Sequence, residues 1–152
     1  MITHKNWTVQ EDINPLFKFI LPMLESVFGQ AVMEAESCTV TIDMNYPTAP
    51  LTVFNTTRII LKAEPTAFCQ VIRQLAHELT HYAVRQNTDY QYSTCAIAAF
   101  EEPACEAVAM YILKLCAEHW KACDYHPFNL NYAQNFERYR SDIYNDATGE
   151  RP

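Results

Sequence analysis

The stretch Gln74-Leu75-Ala76-His77-Glu78-Leu79-Thr80-His81-Tyr82 decides how this chain is read, because it sets H-E-x-x-H inside a run with the period of an amphipathic helix. From Thr66 to Gln86 the apolar residues Phe68, Val71, Ile72, Leu75, Leu79, Tyr82 and Ala83 recur at three and four, and Pro65 suits the opening turn. Residues four apart lie one above the other on a helix. His77 and His81 therefore share a face and can present two imidazoles to one metal ion, with Glu78 one residue round. The apolar stripe lies on the opposite side, so one face can go to a core while the other keeps the histidines for a cleft. Arg73, one turn before His77 on that second face, reads as a solvated charge.

Upstream, Cys38-Thr39-Val40-Thr41-Ile42-Asp43-Met44 is β-branched and alternates, which predicts a strand ending in the turn-rich Asn45-Tyr46-Pro47. Leu51–Phe54 and Arg58–Lys62 are two shorter strand candidates around Asn55-Thr56-Thr57, giving a small sheet of about three strands. Glu11 to Phe28 has a helical period, bent at Pro22 and stopped by Gly29, and the residues before it read as polar chain. Downstream, Asn87 to Thr94 reads as a loop. A helical pattern between Ala96 and Trp120 becomes regular near Pro103, and a weaker, tyrosine-rich helix covers Asn131 to Tyr144. The fold class expected is α+β, in one domain spanning residues 1–152.

The totals narrow the partners. A net charge of −7 with eleven scattered Lys and Arg among 152 residues argues against nucleic acid and anionic membrane surfaces, which need clustered cations. The apolar run Leu16 to Leu24 is broken by Lys18 and Pro22, so neither a signal peptide nor a membrane span is expected and the cytoplasm is the default compartment. Six cysteines could form three disulfides. Without a secretion signal or any C-x-x-C spacing they are expected as free thiols, and no cysteine zinc site is expected either.

A hydrolytic zinc site takes three protein ligands and keeps its fourth position for water, so two histidines do not suffice. Glu78 has the position of the general base. The candidates for the third ligand lie on the next helix, at Phe100-Glu101-Glu102-Pro103-Ala104-Cys105-Glu106. Glu102 and Glu106 are four apart on one helical face. Glu102 is assigned to the metal and Glu106 to the free nitrogen of a ligand histidine, with Glu101 the rival for the metal because either neighbour can face inward at a helix start. Apart from the motif, the three glutamates would read as a solvated acidic face, and His77 and His81 as two surface histidines.

His77 to His81, followed after twenty intervening residues by Glu102, resembles the gluzincin clan of metallopeptidases, and the chain length is similar to the minigluzincins and the related immunity-repressor proteases. The resemblance covers roughly Arg58 to Leu115. It implies a minimal zincin-like fold and a Zn2+ ion held by His77, His81 and Glu102. It also implies Glu78 as general base, Glu106 supporting a histidine, and a peptide or protein substrate. It further implies that the strand near Arg58 to Lys62 forms the cleft's upper rim and pairs with extended substrate, and that a tyrosine or histidine stabilises the oxyanion. Tyr111, His119, Tyr125, His126 and Tyr132 are the candidates for that last role. The alternative is a non-catalytic or latent metal-binding regulatory protein on the same fold; an intact Glu78 favours the enzyme.

Overall fold

The computed structural model describes residues 1–53, 57–87 and 95–148. The connection at 88–94 and residues Phe54, Asn55 and Thr56 lie outside them. The fold is α+β: among the described residues a five-stranded mixed sheet is joined to five helices. The strands are β1 (Ile2–His4), β2 (Trp7–Val9), β3 (Cys38–Ile42), β4 (Leu51–Val53) and β5 (Arg58–Leu61), in the order β1-β2-β3-β5-β4. β2, β3 and β5 run parallel; β1 and β4 are antiparallel edges.

The sheet of about three strands expected from sequence is thus corrected to five. The two additional strands form a hairpin in the segment read as polar chain. Each is only three residues long, too short for a period to show, and the His4↔Trp7 register leaves a two-residue loop, Lys5-Asn6, without glycine. Lys5 takes φ 54°, a region costly for a side chain. Tertiary contacts hold it there: Lys5 Nζ lies 2.6 Å from Glu34 Oε1, and Asn6 Nδ2 donates to the Met33 and Glu36 carbonyls at 3.1 and 2.6 Å.

The helices are α1 (Asn14–Phe28), α2 (Gln30–Met33), α3 (Phe68–Asn87), α4 (Cys95–His119) and α5 (Ala133–Thr148). Gly29 ends α1 at φ 95°, where a side chain would be strained. α3 is the central element, packed on α1, on β5 and most extensively along α4. Its Val71, Ile72, Leu75, Ala76, Leu79, Tyr82 and Ala83 are fully buried. Each large apolar side chain so buried contributes roughly 1.5–3 kcal/mol. At its far end Tyr82 packs on Trp7, with ring centroids 5.0 Å apart; its hydroxyl accepts from the Glu36 amide at 2.9 Å and ties α3 to the segment entering β3. At its start Phe68 stacks on Tyr125 at 5.1 Å and joins Trp120 and Tyr132, which fasten the C-terminal part to the same helix.

α4 departs from expectation. It begins at Cys95 and continues through Pro103, so Glu101 and Glu102 sit within the helix rather than at its start. Cys38, Cys69, Cys105, Cys116 and Cys123 are free and buried, as expected of thiols acting as small hydrophobes. Among the described residues no helix is long and apolar enough to cross a membrane.

Candidate metal centre

Four residues apart on α3, His77 and His81 hold their rings 5.0 Å apart, with side chains only 15% and 16% exposed. Glu78 is buried between α3 and the sheet edge. Thr52 of β4 meets it there, its Oγ1 donating to Glu78 Oε2 at 2.7 Å and lying 3.3 Å from the Glu78 carbonyl. Burial raises the Glu78 pKa, opposed by the Thr52 hydrogen bond and by the two histidines. The edge beside the site is β4, not the Arg58–Lys62 strand expected for the rim: β5 is paired on both sides, by β3 and β4.

α4 supplies the other half. Glu101, Glu102, Cys105 and Glu106 stand at i, i+1, i+4 and i+5, positions that share one side of a helix, so both neighbouring glutamates can face α3. The Glu102 carboxylate lies between the rings, Oε2 at 3.0 Å from His77 Nε2 and Oε1 at 2.7 Å from His81 Nε2. The opposite nitrogens are backed separately. His77 Nδ1 is 2.8 Å from Glu106 Oε1, and His81 Nδ1 is 2.8 Å from Glu101 Oε1. A carboxylate behind each Nδ1 accepts its N–H and leaves the Nε2 lone pair as the ligand atom, the tautomer inferred from these contacts.

The charges are organised accordingly. The hydrogen bond from His77 holds Glu106 down at about 2 against its partial burial, and Arg73, with Nη2 3.0 Å from Oε2, lowers it further. Reciprocally, Glu106 raises the His77 pKa against desolvation, with Glu78 and Glu102 adding to it. Arg73 is therefore part of the network rather than the solvated charge its sequence context suggests. The signal was present: it lies one turn before His77 on the same face.

Against the expectation that no cysteine takes part, His77, His81 and Cys105 form a group whose ligand atoms all lie within 4.8 Å of one another and could hold a metal ion. Cys105 is fully buried, and burial, with the surrounding glutamates, drives its thiol pKa far up. Glu102 offers an anionic oxygen at hydrogen-bond distance from both Nε2 atoms, whereas Cys105 must lose a proton in a negative environment.

In front of the site opens a cleft of about 500 Å³, bounded by Pro50 just before β4, by Gln70, Arg73 and Gln74 of α3, and by Tyr139 of α5. A second groove of about 300 Å³ continues past Gln70 and Tyr139 between α3 and α5. Tyr139 and Arg73 line the same cleft. None of the five tyrosine and histidine candidates named from sequence lines this cleft: Tyr125 and Tyr132 pack around Phe68, His119 and His126 border a separate hollow near Trp120, and Tyr111 is exposed on α4. Tyr139 was missed because nothing in the sequence ties α5 to the histidine helix. No family model, curated protein or solved structure matches this chain.

Proposed function

We propose that the protein is a zinc-dependent peptidase on a minimal gluzincin-like fold, with His77, His81 and Glu102 as ligands and Glu78 as general base. One observation carries the reading: a carboxylate faces both Nε2 atoms while each Nδ1 is backed by a carboxylate of its own. Two imidazoles and one carboxylate are a donor set suited to a hydrolytic zinc site. Zinc held there supplies an acidified water and a polarised carbonyl.

The chain's own residues do the rest. Glu78, buried and oriented by Thr52, accepts the proton of the attacking water and returns it to the leaving amine. Glu106 and Glu101 fix the imidazoles. Tyr139, beside Arg73 in the cleft wall, offers a phenolic proton for the developing oxyanion. Among the described residues β4 is an edge strand beside Glu78, and its outer backbone suits an extended peptide.

Purified protein is expected to carry about one zinc per chain, and Glu78→Gln to keep it while losing hydrolysis of an unstructured protein such as casein by roughly 10²–10⁴. Undiminished hydrolysis by Glu78→Gln defeats the assignment. The alternative, a non-catalytic metal-binding regulatory protein, draws support from Cys105, because a thiolate added to the three ligands would close the coordination sphere. A thiolate-to-cobalt charge-transfer band in the cobalt-loaded protein, abolished by Cys105→Ser, favours that reading; cobalt bound without it favours the enzyme.

A further inference from the structure

Among the described residues that line the cleft, Arg73 is the one Lys or Arg, facing Glu78, Glu102 and Glu106. Its side chain is 34% exposed and is held by Glu106 Oε2 at 3.0 Å, with Tyr139 beside it in the cleft wall. A guanidinium carries five N–H donors in a planar fork, so the Glu106 contact anchors it and leaves further donors for another partner. Gln70 and Gln74, on the same helix, bring amide groups to the same wall.

We propose that Arg73 seats a carboxylate of the substrate peptide, close to the bond presented to His77 and His81; the inference rests on reading this cleft as the substrate site of the proposed peptidase. The spacing is suitable. Arg73 precedes His77 by four residues, about 6 Å along the helix, and an extended peptide advances about 3.3 Å per residue. The carboxylate therefore belongs to a residue one or two positions from the cleaved bond. A planar carboxylate matches the fork with two parallel hydrogen bonds, whereas a doubly charged phosphate would meet stronger repulsion from the three glutamates. The carboxylate has two sources, a peptide C-terminus or an Asp or Glu side chain.

The test uses zinc-loaded Glu78→Gln protein, immobilised, and randomised acetyl-hexapeptides in two pools, free acid and C-terminal amide, with retained peptides read by mass spectrometry. If the C-terminus is seated, the free-acid pool is retained roughly tenfold or more over the amide pool; if a side chain is seated, Asp and Glu are enriched at one position of the amide pool to a similar degree. Adding Arg73→Gln is expected to erase that bias, read as the ratio of acidic to neutral peptide retained per bound zinc, and Arg73→Lys to keep part of it. Equal retention of acidic and neutral peptides by the protein with Arg73 intact overturns the inference, as does an equal loss of both in Arg73→Gln that still holds zinc. Carboxylate retention without casein cleavage by the native protein would sink the peptidase reading and leave Arg73's subsite standing; cleavage without carboxylate bias would do the reverse.

Discussion

The two sides of α3 divide the labour of the molecule. One side, with Ile72, Leu75, Leu79 and Tyr82, is wholly buried against α1 and the sheet. The other carries Arg73, His77 and His81, each partly open and each engaged by a glutamate of α4. Apolar packing is cohesive but directionless, whereas the polar side works through a few contacts of fixed length and angle. The contrast teaches that the helix is immobilised by the face without chemistry, so that the face with chemistry can be positioned to fractions of an ångström.

Substitutions can separate the two sides. The largest effect is expected for His81→Ala, which should weaken metal binding beyond the hundredfold typical of losing a supporting partner, while metal-free unfolding shifts by less than about 1 kcal/mol; isothermal titration and urea unfolding measure both. Leu79→Ala should do the opposite, costing about 2–5 kcal/mol of stability while each molecule that remains folded binds metal as before. If Leu79→Ala abolished metal binding at temperatures where it is folded, the division would fail. Next come Glu101→Gln and Glu106→Gln, each expected to cost roughly 10–100-fold in metal affinity, against a greater loss for Glu102→Gln.

The smallest effect belongs to two buried thiols. Burial pushes the Cys38 thiol to about 12 and the Cys69 thiol to about 11, above the ordinary 9.0. Both stay protonated in the folded chain and ionise first in the unfolded one. Their contribution is full below about pH 9 and is lost as pH rises from there through the folded values, so unfolding free energy should decline from pH 9 toward pH 11. Cys38→Ala should flatten part of that slope.

How much was legible follows from the same physics. α3 could be read because its apolar residues keep one stripe and its histidines share the face opposite. α1, β3 and β5 announced themselves by period or by β-branched runs. α4 could not be bounded: it is apolar along much of its length, so the stripe blurs, and Pro103 suggested a start eight residues beyond the true one at Cys95. Glu101 and Glu102 then seemed rivals for one role, whereas inside a helix both meet a histidine, one at Nδ1 and one at Nε2. Thr52 and Tyr139 were invisible because their relation to Glu78 and Arg73 comes from sheet order and from the docking of α5. Neither leaves a mark on local sequence.

Among the described residues, the carboxylates paired with His77 and His81 at 3.0 Å or less all come from α4, and this has a thermodynamic consequence. A cation held between these helices is gripped by two consecutive but separate helices, and the unfolded chain cannot reproduce the grip. Occupancy and folding become linked equilibria: at a free metal concentration a hundredfold above the dissociation constant, the folded state gains about 2.7 kcal/mol. The melting temperature is then itself a gauge of metal affinity, and removal of the ion by a chelator should loosen first the seam between α3 and α4.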